Sequence, residues 1–390
     1  QKLAAVWQSL LNLEQVGRHD HFFELGGHSL LVVSLIEQLR QQGLSLDVSA
    51  VFSAPTLAAM SARLSQRRDQ ETDALAIPPN LIREDSQIIT PDRLPLVALT
   101  QPQIDQIVAH VPGGVANIQD IYPLGPLQEG ILFHHLLAET GDTYLENILM
   151  NFDRRTRLDS FLQALQQVIN RHDILRSAFH WHELPAPVQV VYRHAPLPIT
   201  EVSLSAGESA ETQLQRLTDP DLIRLDITQA PLLAAYIAND PDADRWWLSL
   251  LHHHLVCDHL SLEMMFSEVR SLLLGEEETL PTPLPYRNFI AQIRKVPIET
   301  HQAYFRQLLG DVEEPTLPFG LLNVQGNPRD EHDHIVEDIF TLDNALAQQI
   351  RDCARQQGIS SAVLFHVAWA HVLAQFCGRD DVVFGTVLLG

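Results

Sequence analysis

Cysteine is scarce: Cys257, Cys353 and Cys377 are the only three in 390 residues. They are widely spaced and odd in number, which argues against a disulfide framework or a clustered zinc site and fits a reducing cytoplasm. Basic residues are scarce too, with 26 Lys and Arg against 49 Asp and Glu and a formal net charge of -23. A surface of that sign repels nucleic acid and anionic membranes, so neither is expected as a partner. No run of about 18 uncharged apolar residues occurs, so no membrane span is expected. Gln1 opens a helical pattern with no charged-then-apolar leader, and the missing initiator Met predicts a piece of a longer chain. Internal repeats and low-complexity tracts are absent as well. What remains is an ordinary 45% hydrophobic content over a length that has room for two or three domains.

The most informative run is Phe22-Phe23-Glu24-Leu25-Gly26-Gly27-His28-Ser29-Leu30-Leu31. The glycine pair lets the backbone turn sharply, and Val32, Leu35, Ile36 and Leu39 then recur at helical spacing. Ser29 therefore falls at a helix entrance, where its hydroxyl is exposed and the helix dipole favours a phosphate. A serine before an amphipathic run is ordinarily just an N-cap. The whole string, however, resembles the attachment site of carrier domains in nonribosomal peptide synthetases. That resemblance implies a 4'-phosphopantetheine covalently attached to Ser29, with Gly26, Gly27 and His28 shaping the loop. Around it, Leu3, Val6, Trp7, Leu10 and Leu11 form one apolar stripe and Leu57, Met60 and Leu64 another, with Pro55-Thr56 starting the last helix. Residues 1–65 are thus expected to be a small α-helical bundle carrier domain. Residues 66–94 lose the periodicity, mix charges and carry prolines, as a linker does.

From about residue 95 helical and strand patterns alternate, as in an α/β layered domain. Leu158, Phe161, Leu162, Leu165, Val168 and Ile169 mark an amphipathic helix with a cap expected at Asp159. Arg245–Leu251 reads as a buried strand, Ser360 or Ser361 as the cap of a helix ending near Gly378, and Asp381–Val387 as a further strand.

Directly after the Arg245–Leu251 strand comes His252-His253-His254-Leu255-Val256-Cys257-Asp258-His259. Successive strand residues face opposite sides, so His253 and His254 cannot share one cleft unless the strand breaks there. One is expected to be reactive and the other structural, with Asp258 orienting the loop through an ion pair. A metal site is disfavoured because adjacent histidines lack separated ligand spacing, and a purely structural cluster is the plainer alternative. On its residues alone the run is an acid/base site of unspecified substrate.

His253-His254-Leu255-Val256-Cys257-Asp258 also resembles the HHxxxDG motif of condensation domains, with His259 in place of the glycine. The resemblance implies that His254 serves amide formation, as a base toward the acceptor amine or by positioning it, while His253 and Asp258 support the architecture. Asn170–Phe179 resembles the RHExLRTxF motif, Tyr122–Gly130 the opening motif and Tyr286-Arg287-Asn288-Phe289 a later one, all in the family's order. Residues 95–390 are therefore expected to form an α/β chloramphenicol-acetyltransferase-like condensation domain with its second lobe incomplete.

A second histidine pair, His134-His135, precedes Gly141-Asp142, with Gly141 suited to a helix C-terminal cap. Histidines there are commonly dipole partners. The spacing nonetheless resembles the HH[I/L]xxxxGD signature of dual epimerization/condensation domains, which invert the donor residue from L to D before joining it. The implied partners are a phosphopantetheinyl transferase, an upstream adenylation domain, downstream adenylation and carrier domains, and peptidyl and aminoacyl thioesters. Simple condensation without inversion, and a catalytically silent docking platform, are the competing readings.

Overall fold

The structure is a computed structural model; it describes residues 2–386 except 24, 28–30, 33–34, 37, 40–41, 48–49, 52–53, 67–76, 139, 321–337 and 358. Its contacts divide the chain into two compact units, residues 1–74 with 304–390 and residues 75–303.

In the N-terminal part the helix Lys2–Leu11 buries Leu3, Val6 and Trp7, which share one face at spacings of three and four. The helix Leu57–Arg63 begins at Thr56, whose hydroxyl accepts the Ala59 N–H at 3.3 Å, and buries Met60. These side chains meet Phe22, Val32, Leu35, Leu39 and Val51 in one core. Each fully buried apolar side chain there contributes about 1.5–3 kcal/mol. Two short strands, β1 (Leu44–Ser45) and β2 (Ser65–Gln66), pair antiparallel. A side chain at Gly27 would run into the Phe22 ring at 2.4 Å, while Gly26 holds φ +102° with nothing within 4 Å of an added Cβ. Ser29 and His28 lie outside the described residues.

Residues 77–94 are not a free connector. Ile82, Ile89 and Leu94 are buried with Ile104, Ile107, Ile118 and Val190, and Asn80 Nδ2 donates to the Gln119 carbonyl at 2.8 Å. The prolines suggested an extended spacer, but the apolar residues between them have a face to bury.

The second unit carries two sheets. β3 (Ile118–Pro123), β5 (Ser177–His180) and β6 (Val188–Tyr192) form one in the order β3-β6-β5, and β4 (Leu145–Phe152), β7 (Ile199–Glu201), β8 (Leu233–Asn239) and β9 (Trp246–His253) form the other in the order β4-β9-β8-β7. Among the described strands only β7 and β8 run parallel. β9 lies between β4 and β8 and is buried on both faces, which explains its nearly continuous apolar sequence. The helix Arg155–Arg171 lays Leu158, Phe161, Leu165 and Val168 into the same core as Leu248 and Leu250 of β9. It starts ahead of Asp159, which is no cap: its carboxylate accepts from Arg155 one turn back at 2.8 Å.

The last described helix, Ser361–Cys377, has Ser360 as N-cap and Gly378 as C-cap at φ +65°. The strand expected at 381–387 is not formed over 381–386. A strand needs a neighbouring edge for its backbone groups, whereas the Val383 N–H donates to Thr316 Oγ1 at 2.8 Å.

Candidate active site

Both paired-histidine motifs lie inside residues 75–303. Strand β9 delivers the His253-His254 pair: Glu146 of β4 stands across from His252, and Leu145 across from His253. Alternation then sends His252 and His254 to one face and His253 to the other. His253 is fully buried, whereas the His254 side chain keeps 28% of its exposure.

Beneath His253 sits a buried network. Its Nδ1 accepts the Leu255 N–H at 3.1 Å, so the ring proton is on Nε2, which donates to Asp142 Oδ2 at 3.0 Å. The same oxygen accepts from His135 Nδ1 at 2.5 Å, and Oδ1 takes the Tyr144 N–H at 3.0 Å. Burial pushes the Asp142 carboxyl up, but the bonds from His135 and His253 outweigh it and hold it well below the usual carboxylate range. Burial lowers His253, against the pull of Asp142. His135, Asp142 and His253 bring donor atoms within 4.8 Å of one another, a three-donor set that linear spacing did not reveal. The tautomer decides how to read it. Ligation through His253 Nε2 would have to displace the proton that its Nδ1 bond requires, so the set is a hydrogen-bonded network.

The segment joining His135 to Asp142 differs from expectation. The helix Pro126–Leu137 stops at Ala138, and Arg224 satisfies its end by donating to the Ala138 and His135 carbonyls. Gly141 is not the cap; it sits in the following loop at φ +63°, and a Cβ there would lie 2.4 Å from the Asp221 carbonyl oxygen. His134 is exposed, with its ring 6.0 Å from that of Tyr144. Only one histidine of the pair therefore reaches the network.

Asp258 makes no ion pair among the described residues. It is the N-cap of the helix His259–Leu273, accepting the Ser261 N–H at 2.8 Å and the Ser261 hydroxyl at 2.6 Å. A cap satisfies orphan helix donors, and the carboxylate of the residue ahead of a helix reaches them locally. His259 is exposed and pairs with Glu263 at 3.3 Å rather than lining the interior. Cys257 is a buried thiol pushed up to about 12 by burial.

The other motifs hold this corner together. Gln128 caps its own helix by accepting the Gly125 N–H at 2.9 Å and donates to the Leu255 carbonyl at 2.9 Å, tying the opening motif to the turn after His254. Arg171 and His172 both reach Glu268 at 3.0 Å, Asp173 accepts the Tyr286 N–H, and Arg287 pairs with Asp120 at 2.8 Å. One group went unread in the sequence: Glu146, whose Oε1 lies 3.2 Å from His254 Nε2 and whose Oε2 lies 3.2 Å from His252 Nε2. A lone acid inside the apolar strand Leu145–Phe152 was the available signal.

These buried imidazoles make stability depend on pH. Burial pushes His252 and His180 down to about 4, while unfolded histidine titrates near 6.5. The unfolded chain thus binds more protons between those values, so the contribution is complete above about pH 6.5 and is lost as pH falls toward 4. Denaturation followed by Trp246 and Trp247 fluorescence should show about 1 kcal/mol less stability per histidine at pH 5.5 than at pH 7.5. Equal midpoints would mean that both rings titrate normally.

The family models match this arrangement. Residues 118–390 match the condensation domain and residues 1–64 the phosphopantetheine attachment site. The chain belongs to the condensation-domain family and carries a phosphopantetheine-binding carrier domain ahead of it, whose cofactor is a covalently attached 4'-phosphopantetheine. It is similar to malpibaldin synthetase of Mortierella alpina, 46% identical over 391 residues, covering 100% of this chain and 7% of that protein. Malpinin synthetase of the same organism is 47% identical over 390 residues, covering 100% of this chain and 5% of that protein. The chain thus spans a small fraction of these relatives.

Two solved structures share the fold. They are the condensation domain from Monacolin K polyketide synthase MokA, at TM-score 0.51, 21% identity, and 67% and 61% of the two chains, and the first condensation domain of the calcium-dependent antibiotic synthetase in complex with substrate analogue 3a, at TM-score 0.50, 18% identity, and 68% and 64%. The fold is accordingly chloramphenicol-acetyltransferase-like. On the carrier side, the described part of the loop fits an attached arm, with open space at Gly26 and Gly27 locked on Phe22. No described helix is long and apolar enough to cross a membrane.

Proposed function

We infer that this chain carries an acyl donor on Ser29, inverts the donor's last residue from L to D, and joins it to the amine of a downstream aminoacyl thioester. The phosphopantetheine arm supplies the thiol that presents the donor as a thioester. His254 is the proton-handling group, because it is the part-exposed histidine of the strand end while His253 is sealed. In amide formation the amine nitrogen attacks the carbonyl, the carbon–sulfur bond breaks, and the amine's proton ends on the departing sulfur. His254 is placed to take that proton or to hold the amine. Bringing both thioesters to one site supplies a proximity advantage. For inversion the thioester acidifies the α-carbon, His254 removes the proton, and another group returns one to the opposite face.

The inversion reading is carried by one observation: His135 and Asp142 of the extended motif converge on His253, one residue from His254. A phosphopantetheinyl transferase, an upstream adenylation domain and downstream adenylation and carrier domains complete the proposed system. Simple condensation is the second reading, supported by the bonds through which His135 and Asp142 hold His253 in place.

Stereochemistry separates the two. Ser29 is loaded with a panel of L-configured dipeptidyl-pantetheine donors in deuterated buffer without acceptor, then analysed by mass spectrometry and chiral chromatography. We expect α-deuteration and D-product. An unchanged L-donor that still condenses once acceptor is added would leave condensation alone.

A further inference from the structure

Strand β6 is apolar except at one position: Val188, Val190, Val191 and Tyr192 surround Gln189, and all five are buried. Gln189 belongs to none of the motifs that pointed to this site. It lies on the opposite face of its strand from Val188 and Val190, and there its side chain meets that of Gln128, from the opening motif, in a reciprocal amide pair. Gln189 Nε2 donates to Gln128 Oε1 at 3.0 Å, and Gln128 Nε2 donates to Gln189 Oε1 at 3.4 Å. Backbone groups fix which way each amide points. Gln189 Nε2 also donates to the Pro123 carbonyl at 3.1 Å, and Gln128 Oε1 accepts the Gly125 N–H at 2.9 Å. A carbonyl only accepts and an N–H only donates, so neither amide can turn over without setting like against like. With its oxygen committed, Gln128 Nε2 donates its other hydrogen to the Leu255 carbonyl at 2.9 Å.

That carbonyl belongs to the turn that carries His254. Strand β9 ends at His253, and three bonds hold the residues that follow. The His254 N–H donates to the Tyr144 carbonyl at 2.9 Å, the Leu255 N–H donates to His253 Nδ1 at 3.1 Å, and the Leu255 carbonyl accepts from Gln128. The first two come from the β4 and β9 side of the turn; the third is backed, through Gln189, by the other sheet. Resting on the reading of His254 as the proton-handling group, we propose that Gln189 is a positioning residue for it: by pairing with Gln128 it fixes the amide that grips Leu255, and so sets where the His254 ring stands. A fully bonded, buried amide pair resists displacement, because moving either side chain leaves donors or acceptors without partners. An ångström of drift in a group that must meet the reacting atoms can cost about a hundredfold in rate. Neither amide gains or loses a proton in the reaction, so the pair acts through geometry alone.

The unaltered chain is measured first. In its 15N NMR spectra the side-chain amides of Gln128 and Gln189 should exchange with solvent more slowly than those of exposed glutamines, and free exchange of either would overturn the pairing. Gln189→Met keeps the length and burial of the side chain but removes its donors and its acceptor. In that variant the Gln128 side-chain amide and the Leu255 and Val256 backbone amides should lose protection while those of β6 keep theirs. With Ser29 loaded from the dipeptidyl-pantetheine panel and an aminoacyl-pantetheine as acceptor, the same variant should form amide roughly tenfold more slowly at saturating acceptor, with the half-saturating acceptor concentration within about twofold. Gln128→Met and Gln189→Met together should lose no more than Gln128→Met alone, since the two amides act in series. Added to His254→Ala, Gln189→Met should cost nothing further. Gln189→Glu, whose neutral carboxyl still donates to Pro123 and accepts from Gln128, should lose less, and it carries the same comparison if Gln189→Met does not fold. A folded Gln189→Met at the parent rate, losses that multiply in the double variant, or an equal loss in the His254→Ala background would each overturn the proposal. Should the unaltered chain join no donor to any acceptor, the functional reading fails, and the exchange rates still decide whether Gln189 holds the turn.

Discussion

Replacing Asp142 with alanine should destabilise the unit spanning residues 75–303 by about 3–5 kcal/mol, the scale seen when one partner of a buried ionic network is removed. The reason is local. Asp142 is 3% exposed and accepts three hydrogen bonds, from His135, His253 and the Tyr144 backbone. Without it, two buried imidazole N–H groups and an amide lose their acceptor, and no water reaches them freely. Asp142→Asn keeps the volume but points amide hydrogens at donors on at least one side, so it should cost less than alanine and still be clearly measurable. Urea denaturation with tryptophan fluorescence measures both. A loss under 1 kcal/mol for the alanine variant would show that the three groups find other partners and that the network is not what holds this corner.

The second large effect separates chemistry from support. His254→Ala should lower amide formation by about 10²- to 10⁴-fold, the usual range for a positioned acid/base group. Its unfolding midpoint should stay within about 0.5 kcal/mol of the parent, because the side chain is part-exposed and ends outside the core. His253→Ala should do the reverse in emphasis, since its ring is fully buried and bonded at both nitrogens. Product formation from loaded donor and acceptor, measured beside denaturation, tells them apart. If His254→Ala retained more than a tenth of the rate, proton transfer would have to be assigned elsewhere and positioning by His254 would be a minor contribution.

Much of this was legible along the chain, for reasons that are local. The helices Lys2–Leu11, Leu57–Arg63 and Ser361–Cys377 follow their apolar spacing and their Thr56, Ser360 and Gly378 caps, because capping and amphipathicity act within a turn or two. Opposite placement of His253 and His254 follows from the two-residue period of a strand. Where the reading failed, a distant partner had intervened. Arg224 ends the helix that Gly141 was expected to cap, and the Asp221 backbone is what demands a glycine there. Apolar side chains at Ile82 and Ile89 found a face to bury and turned part of an expected linker into domain. Asp258 serves the helix it precedes, because the Ser261 N–H is within its local reach.

By itself the sequence determined the family, the order of its motifs and the identity of the histidines, since these are properties of residue type and spacing. Tertiary structure alone decided which histidine is sealed and which is open, that Asp142 of one motif grips His253 of another, and that Glu146 stands beside His254. Strand pairing brings residues more than a hundred positions apart to about 3 Å, and hydrogen bonds and charges act at that range whatever the distance along the chain.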